Sequence, residues 1–145
     1  MSKNFMDFQA KFRLPELVIA ETDHWRWSIR PEQATLGAGV LSAKRAVEEF
    51  SGITEEESSD LGKMIKLIEN TLKKTFPYNR INYLMLMMVD FQVHFHVIPR
   101  YDHNIDFAGL SWMDAGWPTP PVLDADPVSD EILFAVRDEL KRNVC

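Results

Sequence analysis

The sequence predicts a single domain in which paired β-strands are combined with one long amphipathic helix. Its 145 residues suffice for one hydrophobic core and are too few to expect two domains. Trp25, Trp27 and Ile29 alternate with polar residues, which is the spacing of a half-buried β-strand. Between Leu61 and Leu72 the apolar residues recur at steps of three and four, which is the spacing of an amphipathic helix.

Three strands and a short helix are predicted before the long helix. Residues 17–30 are expected to form a hairpin with a polar break at residues 22–23, and Pro31 ends its second strand. Residues 38–42 are expected to form a third strand. Residues 43–50 are expected to form a short helix, closed by the Ser-Gly pair that follows.

The long helix has a clear beginning and end in the sequence. Thr54 and Glu57 fit a capping box, in which each side chain satisfies an unpaired amide of the other residue's backbone. The apolar spacing continues to about Thr75, and Pro77 prevents further helix. The sequence therefore predicts a helix over residues 54–75.

Two more strands and a C-terminal helix are predicted after it. The apolar run at residues 81–89 is expected to be a central strand that is covered on both faces. Residues 90–91 leave room only for a tight turn before a strand at residues 92–100. Residues 101–127 are rich in Asp, Trp, Gly and Pro and are expected to be irregular, and Ser129 is expected to cap a last helix.

The composition argues against some classes of binding partner and indicates a cellular location. The net charge of −6 argues against a large nucleic-acid interface. The longest strongly apolar run, residues 84–89, is far below the roughly 20 residues that span a bilayer, so no membrane partner is expected. Residues 1–12 lack the pattern of a signal peptide, and the single cysteine, Cys145, has no internal disulfide partner. These features predict a cytoplasmic protein.

The stretch most informative about function is residues 92–100, Gln-Val-His-Phe-His-Val-Ile-Pro-Arg. Because side chains alternate along a strand, Gln92, His94 and His96 are expected on one face, with rows about 7 Å apart. Imidazole can act as a nucleophile, a proton carrier and a hydrogen-bond donor to phosphate near neutral pH. The two histidines therefore predict one reactive site.

A second interpretation of the two histidines is metal ligation, because His-x-His on a strand suits zinc. Such a site needs further ligands, and no other histidine or cysteine has an obvious spacing for it. Asp90, Asp102 and His103 are the nearby candidates. The sequence therefore favours a site without a resident metal or cofactor.

The stretch and the order of the elements before it resemble the histidine-triad family of nucleotide hydrolases and transferases. That family carries three histidines that alternate with apolar residues, often followed by Pro-Arg, on a strand after a long helix. Here Gln92 stands in place of the first histidine. The resemblance implies an α+β fold with a five-stranded antiparallel sheet, commonly dimeric. Within a single domain over residues 1–145, it implies a core over about residues 14–102 and a C-terminal extension over residues 103–145.

The resemblance also implies a reaction and a role for each residue of the triad. His94 would attack the α-phosphorus of a nucleotidyl substrate and form a nucleotidyl-histidine, which water then resolves. His96 would hold and neutralise the phosphate oxygens, and Gln92 would donate a hydrogen bond but carry no proton. The substrates implied are dinucleoside polyphosphates or nucleoside phosphoramidates.

Three further residues are candidates for substrate binding. Arg30 lies near the position where the family places a ribose-contacting Asp or Asn, Asn82 could offer its amide, and Arg100 ends the motif. The same scaffold also admits a nucleotide-binding protein with weak or no catalysis. Gln92 favours that alternative, and so do Ala38, where the family often has another histidine, and the approach at residues 89–91, which lacks the family's usual glycine.

Overall fold

The computed structural model describes residues 2–144, so that Met1 and the predicted free Cys145 lie outside the described residues. Five antiparallel strands form the main sheet in the order β1-β2-β3-β5-β4, and β6 and β7 form a separate hairpin. The elements in chain order are α1 (Lys3–Lys11), β1 (Val18–Glu21), β2 (Trp25–Ile29), β3 (Gly39–Ala43), α2 (Glu55–Thr75), β4 (Arg80–Leu84), β5 (His94–Arg100), β6 (Ile105–Phe107), β7 (Leu110–Trp112) and α3 (Asp130–Arg142). The predicted α+β fold with a five-stranded antiparallel sheet is confirmed.

One face of the sheet, the core face, packs against α2 and α3. Strand alternation directs every second side chain of β2, β3 and β5 to this face. Burial of these large apolar side chains is the main stabilising contribution to the fold. The fully buried members include Trp25, Trp27, Leu41 and Val97 from the sheet, Met64, Ile68 and Leu72 from α2, and Val136 and Leu140 from α3.

The opposite face of the sheet carries His94 and His96 and is called the histidine face. In the register, Ser42 of β3 pairs with His94, and Val40 pairs with His96. The short helix α1, which was not predicted, lies on this face and buries aromatic side chains against it. Its N-terminus is capped by the hydroxyl of Ser2.

The capping signals of the long and the last helix act as predicted. The Thr54 hydroxyl accepts from the amide of Glu57, and the Glu57 carboxylate accepts from the amide of Thr54. The hydroxyl of Ser129 accepts from the amide of Ile132 at the start of α3. Within residues 2–144 no helix is long and apolar enough to cross a membrane, and the cytoplasmic location stays a prediction.

The predicted helix at residues 43–50 is wrong. Ala43 is the last residue of β3, and residues 44–49 have no regular structure before a short 3₁₀ turn at Phe50–Gly52. Its backbone groups pair with the segment before β5 instead of with each other, because Ala43 donates to the carbonyl of Val93, and Val93 donates to the carbonyl of Val47. A helix would have left those groups of the neighbouring segment without partners.

The predicted central strand at residues 81–89 and the tight turn after it are also wrong. The strand ends at Leu84, and β4 lies at the edge of the sheet, where it pairs with β5 alone. The last residue pair of β4 and β5 is Leu84 with His96. Beyond Leu84 the chain leaves the sheet and forms a loop over residues 85–93, called the 85–93 loop. The apolar side chains of Leu86, Met88 and Val89 are exposed, so this run is not covered on both faces.

The segment after β5 is more ordered than predicted. It contains the β6–β7 hairpin, in which Ile105 pairs with Trp112. The indole of Trp112 donates to the carbonyl of Phe107 and fixes the end of that hairpin. A three-residue strand carries too little alternation to be distinguished from irregular chain in a sequence.

Candidate active site

A cavity of about 390 Å³ opens on the histidine face and is called the histidine cavity. Its walls come from the end of α1, the end of β2, the start of β5, the 85–93 loop and the C-terminal segment. The lining residues are Lys11, Phe12, Arg30, Pro31, Glu32, Leu86, Met87, Met88, Val89, Asp90, His94, His96, Leu123 and Asp124. Half of them are apolar, and the other half are charged or imidazole side chains that converge on the same space, which suits a small charged ligand.

The ring of His94 is fixed by one hydrogen bond. Its Nδ1 atom lies 2.5 Å from the backbone carbonyl oxygen of Gln92. A carbonyl oxygen only accepts, so Nδ1 carries the proton and Nε2 holds the free lone pair. Within residues 2–144 no group bonds to Nε2. The side chain therefore presents a nucleophilic nitrogen in a defined orientation.

His96 lies beside His94, with the ring centroids 5.1 Å apart and the ring planes nearly perpendicular. Its Nδ1 atom is buried and has no partner in the part of the chain that the structure describes. Burial, reinforced by the positive charge of Arg30, lowers the pKa of His96 to about 4. Burial also lowers the pKa of His94, so both rings are neutral at pH 7.

Two phenylalanines of the N-terminal segment cover the pair. The ring of Phe8 lies 5.0 Å from that of His94, and the ring of Phe12 lies about equally far from both imidazoles, 6.0 Å from His94 and 6.2 Å from His96. These contacts contribute to the burial of the imidazoles, and this burial is the largest cause of their lowered pKa values.

Arg30 provides a positive charge inside the cavity. Its Nη1 donates to the carbonyl oxygen of Leu123 at 3.0 Å, and only 9% of the residue is exposed. The Nε atom is buried without a partner among residues 2–144. Burial lowers the pKa of Arg30, yet a guanidinium keeps its proton in proteins. The structure thus places this predicted residue beside His96.

A second cation, Lys11, lines the cavity from the end of α1. Its Nζ atom lies 2.7 Å from Oδ2 of Asp90 in the 85–93 loop. This ion pair joins α1 to the loop across the edge of the cavity. Asp90 is therefore neutralised by a neighbour rather than left facing an anionic ligand alone.

The carboxamide of Gln92 points away from the histidines. Its Oε1 accepts from the amide of Val47, and its Nε2 donates to the carbonyls of Ala43 and Arg45. β5 begins only at His94, so Gln92 lies before the alternating strand. The residue reaches the site through its backbone carbonyl, which orients His94.

Asn82 and Arg100 lie outside the histidine cavity and bind each other. Arg100 Nη1 donates to Asn82 Oδ1 at 2.7 Å, and Nε donates to Asp114 Oδ2 at 2.7 Å. Its Nη2 also donates to the carbonyl of Thr119. These contacts hold the C-terminal segment against β4 and β5, and they leave the guanidinium with protein partners on three sides.

The further metal ligands considered from the sequence are not grouped around the two histidines. Asp90 is paired with Lys11, and the Asp102 carboxylate lies 2.6 Å from Nδ1 of His103. Among residues 2–144 no three His, Cys, Asp or Glu side chains converge in a way that suits a metal ion.

The cavity residues that the sequence analysis did not single out include two from the N-terminal segment, Lys11 and Phe12, and two from the C-terminal segment, Leu123 and Asp124. A signal existed for the first two, because Phe5, Phe8 and Phe12 recur at helical spacing after Ser2, which is a capping residue. The C-terminal pair carries no such signal, since its position depends on a backbone hydrogen bond to Arg30.

The comparison with known families agrees with this arrangement. The family model described as HIT domain matches residues 13–103, which is more than half of the chain. The chain belongs to the HIT family. The match begins after α1 and ends before the β6–β7 hairpin, so the walls of the cavity at Lys11 and Leu123 lie outside it.

Solved structures of other HIT proteins share the fold. A histidine triad protein from Sinorhizobium meliloti is 22% identical, with a TM-score of 0.71, and the match covers 91% of this chain and 93% of that one. One from Bradyrhizobium japonicum is 20% identical, with a TM-score of 0.70 and coverages of 92% and 95%. The NitFhit protein of C. elegans is 19% identical, with a TM-score of 0.65, over 89% of this chain and 27% of that one. No curated protein matches this HIT protein.

Membership in the HIT family indicates a nucleotide-binding protein or a nucleotide hydrolase or transferase. The family alone does not distinguish these, because some of its members are not catalytic. The chemistry of this HIT protein has to be argued from its own cavity.

Proposed function

We propose that this HIT protein hydrolyses nucleotidyl substrates at the α-phosphorus through a covalent intermediate on His94. The observation that carries the proposal is the 2.5 Å contact between His94 Nδ1 and the carbonyl of Gln92. It keeps the proton on Nδ1 and leaves the Nε2 lone pair available to attack phosphorus. The candidate substrates are dinucleoside polyphosphates and nucleoside phosphoramidates.

The reaction takes two displacement steps at phosphorus. In the first, His94 Nε2 forms a bond to the α-phosphorus, the bond to the leaving group breaks, and the leaving group keeps the electron pair. An amine leaving group also takes up a proton from solvent as it departs. In the second, a water oxygen bonds to phosphorus, the N–P bond breaks with its electron pair returning to Nε2, and the water proton passes to solvent. The products are a nucleoside monophosphate and the free leaving group.

The electrostatics of the cavity support these steps. Burial lowers the pKa of His94, so the nucleophile needs no deprotonation at pH 7. His96 is also neutral, which leaves Arg30 as the buried positive charge beside the phosphate. His96 would donate a hydrogen bond to a phosphate oxygen, and Gln92 would position His94 through its backbone carbonyl.

A single-turnover assay tests the proposal. Wild type and His94→Ala are mixed with adenosine and guanosine dinucleoside polyphosphates and phosphoramidates, and intact-protein mass is recorded at short times. We expect turnover and a transient nucleotidyl adduct in the wild type, and neither in the variant. The matched control is His103→Ala, because His103 is exposed and lies outside the cavity. Unchanged turnover in His94→Ala would contradict the proposal.

The second candidate function is nucleotide binding without turnover. It is favoured by the burial of His94, which is only 2% exposed beneath Phe8 and Phe12, and by the absence of a proton-carrying side chain at Gln92. Calorimetry that detects nucleotide binding, together with no adduct and no product, would support this function over hydrolysis.

We also propose that the protein is a homodimer. β4 is an edge strand, and the 85–93 loop beside it exposes Leu86, Met88 and Val89, a combination that leaves backbone groups and apolar surface without partners in a monomer. Sedimentation equilibrium at micromolar concentration should give twice the monomer mass. A single monomeric species would contradict it.

A further inference from the structure

We propose that Lys11 and Arg30 bind phosphates on opposite sides of the histidine pair, so that the cavity selects substrates with at least two linked phosphates. The inference rests on the proposed function, because it assumes that the α-phosphate lies at His94. It assigns Lys11, which lies outside the residues matched by the family, to the phosphate of the leaving group.

The register of the sheet sets the order of the charged groups. Arg30 donates its backbone amide to the carbonyl of Ala38, two positions before Val40, and Val40 lies opposite His96. Arg30 is therefore beyond the His96 end of the pair. The charges of Asp90 and Lys11 act on both rings, whereas the charge of Arg30 acts on His96 and is not among those that shift the pKa of His94, so the Lys11–Asp90 pair lies nearer to His94 than Arg30 does.

The two ends of the cavity differ in their negative charge. Glu32 and Asp124 line the cavity near Arg30, and their charges act on its guanidinium. A chain of phosphates that extended in this direction would meet two carboxylates. At the other end Lys11 faces a single carboxylate, that of Asp90. The charges therefore direct the leaving-group phosphates toward Lys11.

The surroundings of Lys11 make it an effective phosphate ligand. Its Nζ atom lies 5.6 Å from the ring centroid of Phe12, and Leu86 and Val89 are among the apolar side chains that line the same cavity. A charge beside apolar walls is less screened than one in open water. Its side chain is still 51% exposed, so Nζ can turn from Asp90 to an arriving phosphate.

We therefore expect the cavity to prefer dinucleoside polyphosphates to nucleoside phosphoramidates. A dinucleoside polyphosphate places a second phosphate on the leaving side of the α-phosphorus, where Lys11 would bind it. A phosphoramidate has an amine there and offers nothing to that cation. The two classes share the nucleoside and the α-phosphate, so Lys11 is the group that distinguishes them.

The test compares diadenosine triphosphate with adenosine 5′-phosphoramidate in wild type and Lys11→Met. A charge-assisted hydrogen bond corresponds to a factor of about ten or more, so we expect kcat/KM for the triphosphate to fall by at least about tenfold. The value for the phosphoramidate should change by less than about twofold, since its leaving amine does not contact Lys11. The matched control is Lys3→Met, on the same helix but paired with Asp7 away from the cavity. Equal losses on both substrates, or no loss, would overturn the inference and leave the proposed hydrolysis intact.

Asp90→Asn distinguishes phosphate binding from a merely structural ion pair. If the Lys11–Asp90 ion pair only fastens α1 to the 85–93 loop, Lys11→Met and Asp90→Asn both lose that pair. Both variants should then bind ADP more weakly than the wild type. If Lys11 binds phosphate, Asp90→Asn frees the lysine and removes a repelling carboxylate, so affinity for ADP should rise about tenfold above wild type. A fall in affinity in Asp90→Asn would overturn the inference.

Calorimetry with ADP and AMP makes the test independent of catalysis. We expect wild type to bind ADP at least about tenfold more tightly than AMP, and Lys11→Met to bind the two alike. This result would support the inference even in a protein that shows no turnover, in which case only the proposed hydrolysis fails. Equal affinities in the wild type would overturn the inference.

Discussion

The ring of Phe8 lies 5.0 Å from the ring of His94 at an interplanar angle of 54°. Helix α1 thus forms part of the wall of the cavity and contributes to the burial that lowers the pKa of His94. An aromatic side chain from outside the family's matched residues therefore tunes the proposed nucleophile.

The first prediction concerns Phe8→Ala. Removing a buried phenylalanine leaves a cavity and should lower the free energy of unfolding by about 3 kcal/mol. Water then reaches the imidazole, so the pKa of His94 should rise toward its ordinary value of 6.5. NMR titration of the histidine ring protons and urea unfolding measure the two effects. Met6→Ala, an exposed position on the same helix, is the control and should change neither.

The second prediction is that placing the family's first histidine at position 92 destabilises the protein and does not increase its activity. The carboxamide of Gln92 makes three hydrogen bonds to backbone groups of residues 43–47, and an imidazole has only two nitrogens. Gln92→His leaves at least one buried peptide group unpaired, at a cost of about 1–3 kcal/mol in the free energy of unfolding. Urea unfolding should show this loss, and single-turnover rates should not increase. Asn104→His, at an exposed amide, is the control; a faster Gln92→His enzyme would contradict the prediction.

The third prediction is a pH dependence of stability. The pKa of His96 is about 4 in the folded protein and ordinarily 6.5 in an unfolded chain. Above pH 6.5 the ring is neutral in both states. As the pH falls toward 4, the unfolded chain binds a proton that the folded protein does not, so the free energy of unfolding falls.

The measurement compares the wild type with His96→Asn, which has no titrating ring. Between about pH 7 and pH 5 the wild type should lose roughly 2 kcal/mol more than the variant in urea unfolding. Carboxylates titrate equally in both proteins, so the difference isolates the imidazole. Parallel losses would show that His96 is not buried as described.

The fourth prediction concerns the buried ion pair of Arg100 and Asp114, whose side chains are 5% and 1% exposed. Asp114→Asn leaves the guanidinium buried without its counterion and should lower the free energy of unfolding by about 3–5 kcal/mol. Asp102→Asn is the control, because that carboxylate is exposed. A loss below about 1 kcal/mol, within the range of exposed pairs, would show that the pair does not stabilise the C-terminal segment.

The elements predicted correctly are those whose signals are local. The capping box at Thr54 and the cap at Ser129 act within one helical turn, so their residues are visible in any short window. The segment at residues 43–50 has helical spacing too, but its backbone binds Gln92, which is 45 positions away from Val47. The local sequence carries no signal of so distant a partner, yet this contact determines that the segment is not helical.

The residues of the candidate site also fall into two groups, those that a local pattern predicts and those that depend on distant contacts. The alternation of β5 was enough to place His94 beside His96, because period two is a property of the strand itself. Arg30 was found through the family resemblance. Lys11 and Leu123 come from the two ends of the chain and reach the cavity only through tertiary contacts with Asp90 and Arg30.

Strand β5 contributes to both the hydrophobic core and the histidine cavity, because its side chains alternate between the core face and the histidine face. Its even-numbered positions 94 and 96 carry the imidazoles, and the odd-numbered Phe95 and Val97 pack against the core. Deleting Phe95 would make the two histidines adjacent in the strand, so that one of the imidazoles would turn toward the core face. Residues 85–89 lie outside the strand and before the contacts of Asp90 and Gln92, so a change in chain length there leaves the alternation of β5 intact.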